Sequence, residues 1–225
     1  MKILGPNDVG YGLLFEYDSG FVSPKEEHNK LILEEIKKTG VIPSPFIIYA
    51  ILSKADTENK NGRMYPYEIM KREGDKYKQL LPNRSISELD HPESSIISLD
   101  RVAHRIVDMW WEGKTLIGKL EIMTTRGFRN EGIVSTKGDQ AAWLILEYGI
   151  MLGISSRGVG SLKKQGETNV VQDDFELICF DIVSSPSSPG SYLFTDMNQM
   201  KNLPENYKRK DKLVEGLDNF LLSII

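Results

Sequence analysis

Residues 101–123 read RVAHRIVDMWWEGKTLIGKLEIM, two apolar runs separated by a short turn. The runs, 101–111 and 116–123, are rich in Val, Ile, Leu and Trp, which favour β-strands. The residues between them include Gly113, which can adopt the positive φ that a tight turn needs. The stretch therefore predicts an antiparallel β-hairpin in the middle of the chain.

Capping residues predict where helices begin and end. Ser23, Pro24 and Glu26 combine an N-cap, a proline at the first helical position and a capping box. Asp139 is predicted to cap a later helix, which Gly149 ends. Three helices are predicted, at 24–38, at about 67–80 and at 140–148.

The remaining apolar segments complete the predicted architecture. Strands are predicted at 46–52, 150–162 and 169–184, in addition to the hairpin. Residues 1–22 are predicted to be irregular, and residues 59–66 form a loop by their turn residues. Strands outnumber helices and follow one another through hairpins or single helices. The sequence therefore predicts an α+β fold in which a mixed β-barrel is flanked by helices.

The composition is typical of a soluble globular domain. The 225 residues are 40% hydrophobic and 27% charged, and their net charge of −4 disfavours a protein that neutralises nucleic-acid phosphates. No run approaches the roughly 18 apolar residues of a membrane span, and the N-terminus does not resemble a signal peptide. The single cysteine, Cys179, favours a reducing cytoplasm. No nucleic-acid or membrane partner is predicted.

Two segments contain residues that suit nucleophilic catalysis. Residues 153–160 read GISSRGVG, so Ser155 and Ser156 lie among glycines that permit close backbone approach. A serine becomes a strong nucleophile only when a neighbouring imidazole accepts its proton. His91 could supply that imidazole, because it follows a strand-like stretch, a common location for catalytic groups. Taken alone, either segment is more typical of an ordinary turn.

Asp181 is the candidate acid. Strand alternation over 175–183 places it on the same face as Leu177, Cys179 and Val183. A carboxylate among apolar neighbours needs a compensating partner, and a histidine that it orients is one such partner. An edge position that reaches water is the alternative explanation.

Other reactive side chains have ordinary explanations. Ser161 and Lys164 match a Ser-x-x-Lys pattern whose companion motifs are absent, and Cys179 fits a buried strand. His28 is predicted to be solvated, and His104 to pack within a strand. No His or Cys cluster has metal-ligand spacing, so no metal and no cofactor are predicted.

Five segments together resemble the prohead (head-maturation) proteases of T-even-type myoviruses, in the family's order and over roughly residues 46–195. These segments are NGRMYP (61–66), ELDHP (88–92), DMWW (108–111), GISSRGVGSL (153–162) and the 181–189 segment with Asp181, Pro186 and Pro189. The resemblance implies a fold related to herpesvirus assemblin, a β-barrel surrounded by helices. It also implies a serine endopeptidase that cleaves capsid and scaffold proteins inside the immature head, in the host cytoplasm.

The resemblance also assigns site residues. His91 matches the catalytic histidine and Ser155 the catalytic serine, with Ser156 as the alternative nucleophile. Asp181 is chosen as the third member, ahead of Asp174 and Asp90. A further expectation is that Arg157 and Gly158 shape the oxyanion site.

Domain limits and processing follow from the same resemblance. Residues 1–42 are predicted to form an N-terminal extension with a helix, 43–197 the protease domain and 198–225 a polar tail. Family enzymes are similar in cutting after Glu in Leu/Ile-x-Glu segments, and the tail contains such triplets ending at Glu205 and Glu215. Self-processing of the tail is therefore a hypothesis, as is self-association into a homo-oligomer.

Two other functions remain open from the sequence. The first is a catalytically silent capsid assembly or scaffold factor of the same fold. The second is a hydrolase of small esters or amides that uses the same serine and histidine. A missing acid beside His91 would favour the first, and a cleft that accepts no peptides would favour the second.

Overall fold

The computed structural model of the chain describes residues 10–15, 26–59, 61–81 and 83–184. The predicted helix start at Ser23 and Pro24, the residues Pro186 and Pro189 and the tail 198–225 lie outside the described residues. The strands are β1 (Gly10–Phe15), β2 (Phe46–Lys54), β3 (Arg63–Met64), β4 (Ile86–Glu88), β5 (Val102–Glu112), β6 (Thr115–Ile122), β7 (Gly153–Gln165), β8 (Thr168–Val171) and β9 (Glu176–Val183). The helices are α1 (Glu26–Thr39), α2 (Tyr67–Lys78), α3 (Arg126–Glu131) and α4 (Lys137–Tyr148), and Leu99–Arg101 forms a 3₁₀ turn.

The predicted hairpin forms the centre of a four-stranded antiparallel sheet with the order β2-β6-β5-β4. Gly113 adopts a φ of 59° at the turn, as the sequence predicted. Gly118 of β6 leaves room for Leu52, because a Cβ there would lie 2.7 Å from that side chain. The short strand β4 pairs with β5 at the end of this order, and the chain continues from it to His91.

The long strand β7 is the centre of the second sheet. Along one edge β7 pairs with β1. Along the other edge its first half pairs with β9 and its last residues pair with β8. Two strands therefore flank the segment 157–159. The order β1-β7-β8-β3 completes the sheet, with β3 parallel to β8.

One apolar core joins the two sheets. It includes Phe46 and Leu120 from the first sheet and Ile154 and Phe180 from the second, all at most 1% exposed. Helix α4 adds Ala141, which is fully buried. Burial of these side chains supplies the main favourable free energy of folding, about 25 cal/mol for each Å² of apolar surface removed from water.

The structure corrects several predicted elements. Residues 10–15 form β1 instead of an irregular segment, and the predicted strand 169–184 is two strands, β8 and β9. The N-cap of α4 is Thr136, and Asp139 occupies the third helical position of its capping box. The short helix α3 was not predicted, although Thr125 caps it and Gly132 ends it.

The fold is mixed α+β, as predicted, but the described residues form two separate sheets and no closed barrel. β1 and α1 lie within the predicted N-terminal extension, and both contact the rest of the described structure. β1 pairs with β7, and α1 contacts β2. The boundary between residues 42 and 43 stays a prediction.

Candidate active site

Strand pairing brings three elements together at one place. Ser155 of β7 lies directly opposite Asp181 of β9, so their side chains are neighbours on one face of the sheet. The end of β4 lies beside β9, where Leu89 bridges Ile182 and the N–H of Asp90 donates to the Ile182 carbonyl at 2.7 Å. The next residue in the chain, His91, is thereby placed between the serine and the aspartate.

The side chains of Ser155, His91 and Asp181 form one hydrogen-bonded chain. His91 Nε2 lies 2.5 Å from Ser155 Oγ, and His91 Nδ1 lies 2.7 Å from Asp181 Oδ2. Because a carboxylate only accepts, His91 carries its proton on Nδ1 and Nε2 is left to accept the Ser155 proton. Ser155 and Asp181 are fully buried, and 5% of the His91 side chain is exposed. This is the geometry of a nucleophile, a base and an orienting acid.

The environment of Asp181 keeps this acid ionised. Burial works to raise its pKa, but the hydrogen bond from His91 and the charge of Arg157 outweigh burial and hold the pKa below its ordinary value. The N–H of Glu88 also donates to Asp181 Oδ1 at 3.0 Å. The water-exposed edge considered as an alternative from the sequence is wrong, because Asp181 is 0% exposed.

The residues that follow Ser155 occupy different surroundings. Ser156, next in the strand, points to the opposite face of β7 and is 3% exposed. The guanidinium of Arg157 is buried against Asp181, with Nε 2.9 Å from Oδ2. Gly158 packs under Phe175, because a Cβ there would lie 2.4 Å from that ring. The Arg157 side chain is thus bound to the acid.

The other candidate residues lie outside this chain of contacts. Asp174 accepts hydrogen bonds from the N–H of Ser161, at 2.9 Å, and from its hydroxyl. Burial raises the pKa of the Cys179 thiol, which agrees with a core position. His28 is exposed on α1, as predicted. Asp90 is exposed and adopts a positive φ of 66°.

Sequence reasoning missed three residues that surround the site: Glu88, Ser94 and Arg101. Glu88 is fully buried beside Arg157, and Arg101 donates to it. The signal in the sequence was the position of Glu88 immediately before Leu89, Asp90 and His91, which places a charged residue in a short strand. Its pairing partners could not be identified without the fold.

His104 of β5 is fully buried, and among the residues that the structure describes neither ring nitrogen has a partner with good hydrogen-bond geometry. Burial lowers its pKa from 6.5 to about 4, although the nearby Asp181 carboxylate and a weaker approach to the Phe180 backbone act in the opposite direction. The unfolded chain therefore binds a proton near pH 6.5 that the folded chain binds only near pH 4. We expect the free energy of unfolding to decrease by roughly 3 kcal/mol as the pH falls through this window.

Chemical denaturation of the wild type and of His104→Leu at pH 7, 6, 5 and 4 measures this contribution. The variant should lose less stability across the window, because it lacks the group that titrates. His28→Gln is the matched control, since His28 is exposed, and it should retain the wild-type pH dependence. An identical pH dependence in His104→Leu and the wild type would contradict the assignment.

Within the part of the chain that the structure describes, no group of three or more His, Cys, Asp or Glu side chains is placed to hold a metal ion. Over the same residues, no helix combines the length and apolar character that crossing a membrane requires.

Comparisons with known proteins identify the family of the chain. Residues 22–201 match the family described as "Prohead core protein serine protease". The chain is 30% identical over 161 residues to the "Prohead core protein protease" of Enterobacteria phage T4, covering 70% of this chain and 71% of that protein.

A solved structure shares the fold. It is described as the bacteriophage T4 capsid assembly protease, is 23% identical and superposes with a TM-score of 0.60. The match covers 78% of this chain and 99% of that one. At this identity the similarity shows the fold alone, whereas the family match spans most of the sequence. The chain belongs to the prohead core protein serine protease family.

Proposed function

We propose that this chain is a serine endopeptidase that cleaves capsid and scaffold proteins during phage prohead maturation, with Ser155 as nucleophile, His91 as base and Asp181 as acid. The observation that carries the proposal is the continuous contact from Ser155 Oγ through the His91 ring to Asp181, at 2.5 and 2.7 Å. Membership of a prohead protease family supports the peptidase reaction and the capsid-related substrates.

The reaction is acyl transfer in two steps. His91 Nε2 accepts the Ser155 proton while Ser155 Oγ attacks the scissile carbonyl carbon, and Asp181 stabilises the imidazolium. The imidazolium then protonates the leaving amine, and the C–N bond breaks to give an acyl-enzyme. In the second step His91 deprotonates a water molecule, which hydrolyses the ester and restores the serine.

Arg157 and Gly158 take an indirect part in oxyanion stabilisation in this proposal. The Arg157 guanidinium is engaged with Asp181, and strands flank both residues in the sheet. Their contribution is to fix the path of β7 next to Ser155, so that backbone donors meet the oxyanion at a set position. The relation of the fold to herpesvirus assemblin is likewise part of the proposal.

We further propose cleavage after Glu in Leu/Ile-x-Glu segments, inside the immature head in the host cytoplasm, by a self-associating enzyme. The chain's own triplets ending at Glu205 and Glu215 are then substrates, because they match the same Leu/Ile-x-Glu pattern. Mass spectrometry of the active protein should find new C-termini at these two residues. An intact tail after prolonged activity would contradict self-processing.

A fluorophosphonate tests the catalytic assignment directly, since an activated serine displaces its fluoride and becomes phosphonylated. The wild type should lose cleavage of a scaffold protein in proportion to labelling, and tryptic mass spectrometry should find the label on Ser155. Heat-unfolded protein is the control and should not react. Absence of labelling and of cleavage would favour the silent assembly factor, and labelled protein that turns over small esters only would favour the small-ester hydrolase.

A further inference from the structure

A buried ion pair lies behind the proposed triad. Arg157 Nη2 is 3.4 Å from Glu88 Oε1, and both side chains are fully buried. Removing two charges from water is expensive, and an ion pair of this kind is often no more stabilising than packed apolar residues. Its location beside Asp181 therefore points to a role other than stability.

Arg157 connects the acid to the loop that follows His91. We define this loop as residues 92–98. The guanidinium contacts Asp181 through Nε, at 2.9 Å from Oδ2, and donates from Nη1 to the carbonyl of Ser94 at 2.8 Å. The same group lies 3.3 Å from the sulfur of Cys179. One side chain of β7 thus fixes both the acid and the middle of loop 92–98.

Glu88 fixes the other end of the same loop. Its carboxylate accepts from the N–H of Ser98 at 2.5 Å and from Arg101 Nε at 3.2 Å, while its own N–H donates to Asp181. Arg101 also donates to the carbonyl of Leu89, two residues before His91. The segment around His91 is therefore held on both sides by hydrogen bonds. Each of these hydrogen bonds involves Arg157, Glu88 or a residue bonded to Glu88.

We propose that Arg157 and Glu88 are a positioning pair, which holds Asp181 and loop 92–98 in the arrangement that proton transfer from Ser155 to His91 requires. Neither residue contacts the reacting atoms in this proposal, which rests on the proposed peptidase function. The pair links β4, β7 and β9, the three strands that supply the triad. Disrupting it should reduce kcat far more than it raises KM.

The charges around the acid give the pair a measurable signature. Removing the Arg157 cation makes proton uptake by the His91–Asp181 pair easier. As the pH is lowered, the loss of activity should therefore begin at a higher pH than in the wild type. Removing the Glu88 anion should have the opposite effect. The ionisable groups that face Asp181 from the packed elements are His91, Arg157, Glu88, Cys179, His104 and Tyr77.

The test compares the pH dependence of kcat/KM for scaffold cleavage in full-length wild type, Glu88→Gln, Arg157→Met and Arg157→Lys. In Arg157→Met the acid limb should move to higher pH by roughly one unit, and in Glu88→Gln it should move to lower pH. Arg157→Lys restores the charge without the planar fork, so its limb should return toward wild type while kcat stays at least tenfold low. Circular dichroism checks that each variant is folded.

Glu73→Gln is the matched control for the loss of a buried, paired carboxylate. Glu73 of α2 pairs with Arg72 and Lys76 and accepts from the N–H of Leu177, four residues before Asp181. This variant should lose stability and keep the wild-type pH profile. If folded Glu88→Gln keeps wild-type kcat and pH profile, or if Glu73→Gln shifts the profile equally, the positioning pair is wrong. A wild type that neither cleaves nor reacts with the fluorophosphonate would instead refute the peptidase function itself.

Discussion

Replacement of Ser155 by alanine is expected to lower kcat for scaffold cleavage by about 10⁴ to 10⁶, the effect of removing the nucleophile of a serine protease. The variant should retain the fold, because the change removes a single oxygen atom. The strand that carries residue 155, β7, is also held by pairing with both β1 and β9. Single-turnover cleavage of a purified scaffold protein, followed by gel electrophoresis, measures the loss.

Ser156→Ala provides the control for this result. Ser156 is next to Ser155 in the chain and nearly as buried, at 3% against 0% exposure, but it points to the other face of β7. Its kcat should stay within about tenfold of wild type, since no proton-transfer contact is removed. If Ser156→Ala alone abolished cleavage, the nucleophile would be Ser156 and the assignment would be off by one residue.

Asp181→Asn should be nearly as damaging, lowering kcat by about 10⁴, because an amide can donate to His91 Nδ1 and stabilise the wrong tautomer. The same change leaves Arg157 with one buried anion fewer, so the free energy of unfolding should also decrease, by roughly 3 kcal/mol. Steady-state kinetics and urea denaturation of the same preparation separate the two effects.

Asp174→Asn is the matched comparison among the acids that the sequence offered. Asp174 bonds Ser161, so its loss should affect local stability and leave kcat close to wild type. Equal kinetic losses in Asp174→Asn and Asp181→Asn would show that Asp181 has no special part in the reaction. The comparison thereby tests the choice of Asp181 ahead of Asp174.

Local sequence signals predicted the elements that depend on nearby residues. The hairpin over β5 and β6 follows from alternating strand formers and Gly113, and α2 and β2 begin within one residue of their predicted starts. β1 was missed because its glycines disfavour a strand, and its formation depends on long-range pairing with β7 and on burial of Leu14 in the core. The split between β8 and β9 was missed although Gln172, Asp173 and Asp174 interrupt the apolar residues, and Asp173 and Asp174 form the turn between the two strands.

The arrangement of the candidate active site depends on long-range contacts more than the secondary-structure elements do. The motifs nominated Ser155, His91 and Asp181, and the structure brings all three together. Their proximity results from the β7–β9 register and from the approach of β4 to β9, which involve residues more than 20 positions apart. The burial of Glu88 beside Arg157 depends on three strands at once, so no local pattern predicts it.

The nucleophile and the base are attached to parts of the fold with very different resistance to opening. Ser155 belongs to a 13-residue strand at the centre of its sheet, whereas His91 follows a three-residue strand at the end of the other sheet's order. Local opening of a short terminal strand requires less free energy than separation of a central one. Opening of the short β4 segment would therefore separate the imidazole from Ser155 and Asp181 while β7 and β9 stay paired.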